Sequence, residues 1–115
     1  MLVIQNLISF SNMPQHTLIL VQYTPGFETR GYLDFQSVPE AMDALVKMYE
    51  MKLKELNPQH KNISYDIADL FKFLDSLSDL VALVFDGKTN QYAPRDRNWI
   101  KEGIVSHLRR QTGGK

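Results

Sequence analysis

The chain has 115 residues, with 13 Lys and Arg against 13 Asp and Glu, and no Cys. That length makes one domain burying roughly 65% of its unfolded surface, and the lack of Cys excludes disulfide frameworks, thiolate metal sites and cysteine nucleophiles. A formal net charge of zero argues against a polyanion wrapper, because non-specific nucleic-acid binding draws on a surplus of Lys and Arg.

Residues 1–10 are apolar apart from Gln5, Asn6 and Ser9. They have no basic start and no small-x-small site, and fall short of the ~20 apolar residues of a membrane span. Residues 1–13 therefore read as a loosely ordered extension, or as a segment that packs on a neighbouring subunit or back over its own sheet. Met13-Pro14-Gln15 looks like a second beginning, and the expectation is an intracellular protein rather than a secreted one. The domain proper is read as residues 14–111. Residues 112–115 (TGGK) lack apolar anchors and read as a mobile tail.

His16 to Tyr23 (HTLILVQY) is a strand whose two faces are both apolar, Leu18 and Leu20 on one and Ile19 and Val21 on the other. A half-buried strand alternates apolar with polar, so this one predicts cover on both sides. Thr24-Pro25-Gly26 is a turn, and Arg30 to Gln36 returns as the second strand of a hairpin. Ser37-Val38-Pro39-Glu40 matches a capping box, in which Ser37 caps the helix and Glu40 reaches back to the Ser37 amide. The helix runs to about Leu56 on a stripe of Met42, Leu45, Val46, Tyr49, Leu53 and Leu56, with Lys47, Lys52 and Lys54 on its solvated side. Asn57-Pro58 ends it.

Asp66 caps a second helix whose apolar face is Ile67, Leu70, Phe71, Leu74 and Leu77. Leu80 to Phe85 (LVALVF) is again apolar throughout. Asp86 to Asn90 is hairpin chemistry, Gln91 to Ala93 returns as a short strand, and Pro94 stops it. Asp96 or Asn98 caps a last helix with Trp99, Ile100, Ile104, His107 and Leu108 inward and Lys101, Arg109 and Arg110 clustered later. The order ββααββα predicts an α+β single domain, a four-stranded antiparallel sheet with three helices on one face.

Chemistry is sparse. His16, His60 and His107 have no metal-ligand spacing, and no catalytic residue, metal or cofactor is expected. Asp66 with Asp69, and Asp75 with Asp79, could act as acid–base pairs, but a helix start and a wet flank explain them. Tyr23, Tyr32 and Phe35 could stack single-stranded RNA on the sheet, with Arg95 and Arg97 nearby, though the basic-glycine-aromatic signature of RNA-recognition domains is absent. Ser37, three residues before an acid, fits an acidophilic kinase site as well as a cap.

Three helices cover one sheet face and leave the other apolar. Identical patches are self-complementary, so a two-fold homodimer through the open face is expected. Leu18, Leu20 and Gln22 are placed on that face. Ile19, Val21 and Tyr23 then pack under the helices.

The chain closely resembles the enhancer of rudimentary homolog family. The resemblance lies in His16 to Gln22 (HTLILVQ), Ser37-Val38-Pro39-Glu40, Lys47-Met48-Tyr49-Glu50, Asn57-Pro58 and Ile63 to Ile67 (ISYDI). It continues through Leu70-Phe71, Asp79-Leu80, Tyr92-Ala93-Pro94, Trp99 to Glu102 and Leu108 to Gln111. It covers about residues 14 to 112 and departs at residues 1–12, Gly31, Leu33 and Gly103, where the family carries more polar or bulkier residues. A glycine at 103 costs its helix about 1 kcal/mol relative to Ala. The resemblance implies a non-catalytic homodimeric adaptor, nuclear or perinuclear, that binds short segments of RNA-processing and transcription proteins. It also implies links to mRNA elimination, splicing, microRNA processing and small-RNA biogenesis, with RNA met only indirectly and no membrane. Met42, Tyr49, Tyr65 and Trp99 are the residues expected to line the partner groove.

Overall fold

The computed structural model describes residues 15–112. The expected extension, residues 1–13, and the last residues of the expected tail lie outside that range. The elements are β1 (Thr17–Gln22), a 3₁₀ turn (Phe27–Thr29), β2 (Arg30–Phe35), α1 (Val38–Leu56), α2 (Ile67–Ser76), β3 (Asp79–Asp86), β4 (Gln91–Arg95) and α3 (Arg97–Thr112). The sheet runs β2-β1-β3-β4 with every pairing antiparallel. The fold class and element order are as the sequence predicts.

The two centre strands explain the layering. Ile19 and Val21 of β1 and Leu80, Ala82 and Val84 of β3 point to one side and are all buried. There they meet Met42, Leu45 and Val46 of α1, Leu70 and Leu74 of α2, and Ile100 and Ile104 of α3. A fully buried Leu or Ile side chain contributes about 1.5–3 kcal/mol, which makes this the main source of stability.

The helix starts are built as the sequence suggests, with one change. Ser37 Oγ accepts from the Glu40 amide at 3.3 Å, but the Glu40 carboxylate accepts from the Gln36 amide at 3.1 Å rather than from Ser37. Asp66 and Asp69 form the reciprocal box instead, at 3.0 and 3.3 Å. Asp96 caps α3 by accepting from the Trp99 amide at 2.9 Å.

Pro94 does not stop β4. It sits within the strand opposite Leu83, which is possible because β4 is an edge strand and its outer side needs no amide donor. Tyr23 does not pack under the helices either. It follows the end of β1 and stays 45% exposed.

Gly103 has a packing reason. A Cβ there would stand 2.9 Å from the Met42 sulfur, and Met42 is wholly buried, so a side chain at 103 fits only if Met42 shifts within the core. Replacing Gly103 by Ala sets a helix-propensity gain of about 1 kcal/mol against an overpacking cost of about 1–3 kcal/mol. We expect Gly103→Ala to lower stability by about 1 kcal/mol, and Met42→Ala to lower it by about 2–5 kcal/mol. In the Met42→Ala background, Gly103→Ala becomes neutral or stabilising. Urea unfolding at one fixed protein concentration reads the cycle, and strict additivity would contradict the close approach.

A second tie joins the same helices. Asp43 accepts from Lys47 at 3.0 Å and lies 3.3 Å from His107 Nε2. The hydrogen bonds from Lys47 and then His107 hold its carboxyl below the ordinary value of 3.8. A lowered folded pKa stabilises the fold at pH values above the ordinary one, and the contribution is lost as pH falls through the folded value. The stability difference between wild type and Asp43→Asn should therefore be intact at about pH 5 and shrink below about pH 4, as read by thermal melts across that range.

Candidate functional site

The polar residues with catalytic potential are engaged in structure. Asp66 and Asp69 close the α2 capping box. Asp75 pairs with Lys101 at 2.7 Å, while Asp79 accepts from the Leu80 amide at 2.9 Å. Arg97 donates through Nη1 to the carbonyls of Leu74 and Leu77, at 2.9 and 3.0 Å, beside the Leu77 amide that also donates to Leu74, and so helps close the C-terminus of α2. Lys101 also lies over the Phe71 ring at 5.2 Å. Among the described residues, no three His, Asp or Glu side chains converge as metal ligands would, and no buried side-chain nitrogen or oxygen lacks a partner.

The rings proposed for RNA stacking are divided between the two sides of the sheet. Register places Tyr32 opposite Leu20 and Phe35 opposite Thr17. Tyr32 is thus on the open face, 67% exposed, whereas Phe35 packs against the core. Arg95 lies over the Trp99 ring at 5.8 Å, and Arg97 is committed to α2. No continuous platform results.

The open face is a more organised surface. Leu18 and Leu20 of β1 stand between Asp34 and Tyr32 of β2 and Leu83 and Val81 of β3. Phe85 opposite Tyr92, and Leu83 opposite Pro94, extend the apolar area to the β4 edge. The Phe85 and Tyr92 rings meet edge to face at 5.3 Å. Leu20 is 37% exposed, while Leu18, Val81 and Leu83 are half-buried.

Polar groups close both ends of this stripe. At one, His16 bridges the sheet, bonding the Tyr92 hydroxyl through Nδ1 at 2.6 Å and the Asp34 carboxylate through Nε2. At the other, the Gln22 amide donates to the Thr24 carbonyl and accepts from Arg30 Nε, both at 2.8 Å. Gln22 shares the face of Leu18 and Leu20 as expected, but it is buried and its amide is satisfied within its own chain. An apolar centre with a polar, internally bonded margin has the anatomy of a protein–protein interface.

The four residues expected to line a partner groove do not stand together. Met42 is wholly buried and Tyr49 nearly so. Both belong to the stripe of α1 that meets the sheet, so they cannot present a surface. Trp99 stands half-buried in the first turn of α3. Tyr65 alone lines an open groove, about 530 Å³, between α1 and the segment leading to α2. Its hydroxyl donates to Glu50 at 2.7 Å, and burial, then that bond, raise its pKa far above the ordinary phenol value. Its ring meets Tyr49 edge-on at 5.0 Å.

Sequence reasoning missed Met48 and Met51. They lie beside the buried stripe of α1, where apolar spacing alone reads as solvated helix, and Met51 is 64% exposed. With Tyr23 and Phe73 they line a second groove of about 730 Å³ on the helix side. Ser37 is half-buried at the N-terminus of α1, its hydroxyl engaged as the cap. Among the described residues no helix is long and apolar enough to cross a membrane.

Comparison with known proteins places this arrangement. The family model described as enhancer of rudimentary matches residues 13–114. An enhancer of rudimentary homolog of Arabidopsis thaliana is 50% identical over 103 residues, covering 90% of this chain and 94% of the relative. The homolog of Dictyostelium discoideum is 45% identical, covering 83% of this chain and 95% of the relative. The protein enhancer of rudimentary of Drosophila virilis is 48% identical, covering 82% and 90%. The chain belongs to the enhancer of rudimentary family.

Proposed function

We propose that the protein is a non-catalytic homodimeric adaptor that joins short segments of RNA-processing or transcription proteins in the nucleus or the cytoplasm around it. The observation that carries the reading is the apolar stripe on the helix-free side of the sheet. Leu18, Leu20, Val81 and Leu83 form its centre, and Tyr32 and Tyr92 flank it, 67% and 42% exposed. A strand with one solvated face alternates apolar with polar residues, and the centres of β1 and β3 do not. A second copy turned about a two-fold axis places each stripe on the same stripe of its partner, so every apolar group finds an apolar neighbour.

The adaptor role follows from what the dimer leaves open. The helices lie on the other side of the sheet, so their grooves stay accessible in both copies. Two equivalent sites in one particle raise the effective concentration of whatever they hold. RNA enters such complexes through the partners, since a formal net charge of zero gives the chain no surplus of cations to hold a polyanion. A phosphate on Ser37 would meet the favourable end of the α1 dipole and tune that helix.

Light scattering tests the central step. We expect wild type at near twice the chain mass of 13.3 kDa, and a Leu18→Arg, Leu20→Arg variant that is monomeric with an unchanged far-ultraviolet dichroism spectrum. The charges are tolerated in the folded monomer because both positions lie on the helix-free face, where a long Arg side chain can carry its charge out to water. A monomeric wild type, or a folded double variant that remains dimeric, would overturn the sheet-face interface.

A further inference from the structure

The helix side carries a surface whose chemistry selects one kind of occupant. The two grooves beside α1 are contiguous, since Lys47 and Met51 border both. On one side of Met51 the floor is Met48, Tyr23 and Phe73. On the other it is Leu53, Ile63 and Tyr65. Methionine is unbranched and polarisable, and it suits surfaces that accept more than one apolar shape.

The rims are basic. Lys47, Lys52, Lys54 and Lys61 line the pair of grooves, against Glu50 and Glu55. Lys47 is paired with Asp43, and Glu50 accepts from Tyr65. Among the described residues no carboxylate lies within ion-pair distance of Lys52, Lys54 or Lys61. A chain of zero net charge thus concentrates unpaired ammonium groups around these two apolar grooves.

We propose that this double groove seats a partner segment presenting two apolar side chains, one on each side of Met51, flanked by Asp or Glu that meet Lys52, Lys54 and Lys61. The proposal rests on the adaptor reading and gives its partner a chemistry. The apolar side chains supply buried area, and the acidic flanks set register and encounter rate. Nucleic acid fits less well. Of the groove's rings, Tyr65 packs edge-on against Tyr49 with its hydroxyl engaged, and Phe73 packs against the same Tyr49 at 5.2 Å, so neither offers a free face for a base. Because the groove lies across the sheet from Leu18 and Leu20, each copy in a dimer would offer one.

Selection from a displayed random-peptide library against the full chain supplies the probe, and fluorescence anisotropy of the synthesised winners supplies the affinity. We expect paired apolar residues with Asp or Glu on either side. Met51→Glu, and separately Lys54→Glu with Lys61→Glu, should each weaken binding about tenfold or more, while light scattering shows the dimer unchanged. All three positions are exposed, so the fold should persist. The affinity should also fall with added salt. Winners indifferent to these substitutions would overturn the groove and leave the adaptor reading standing. No enrichment over an unrelated protein would overturn both. Poly(U) RNA or phosphatidylserine vesicles that bind the chain, and lose it with Lys54→Glu and Lys61→Glu, would replace the proposed occupant.

Discussion

Two apolar strands at the centre of the sheet, β1 and β3, set the constraint on which the architecture depends. Side chains alternate between the faces of a strand, so a strand apolar at every position needs apolar neighbours on both sides. The three helices meet that need on one side, where Ile19, Val21, Leu80, Ala82 and Val84 are buried. On the other side Leu18, Leu20, Val81 and Leu83 have no helix over them among the described residues. The closed side explains why a chain of this length folds, and the open side is the ground for the proposed dimer.

The polar residues carry the complementary lesson. In a catalytic site, titratable groups are held apart from structural duty, in a cleft that perturbs them. Here Asp66, Asp69, Asp96 and Arg97 complete helix ends, Asp75 holds Lys101, and Asp43 ties α1 to α3 through His107. The phenols of Tyr49 and Tyr65 are shifted upward, burial being the largest cause for each. Those shifts keep both groups neutral and therefore poor bases. The surface left for function is apolar and basic, suited to holding another chain.

Much of this was legible in the sequence because it depends on period. The alternation in β1 separated Leu18 and Leu20 from Ile19 and Val21 correctly, and the α1 stripe gave the core. What escaped depends on long-range placement. Met42 and Tyr49 were expected at a partner groove, yet the period that put them on one stripe of α1 is the period that buries them. Pro94 reads as a strand stop until the strand order shows β4 at an edge. Tyr23 has the parity of Ile19 and Val21, but the strand ends at Gln22 and the ring leaves the core. Gly103 looks like a weak point in α3 until the Met42 sulfur is found opposite it. Met48 and Met51 escaped because they lie beside the buried stripe of α1 rather than on it.

In the proposed reading, the face-to-face arrangement and the groove across the sheet would make one device, with assembly and capture on opposite sides of a single thin domain. The most direct test of its central claim is an isotope-filtered nuclear Overhauser spectrum of dimers refolded from equal parts labelled and unlabelled chain. The account predicts intermolecular contacts among the methyl groups of Leu18, Leu20, Val81 and Leu83. Intermolecular contacts arising from α1, α2 or α3 instead, or none at all, would contradict it.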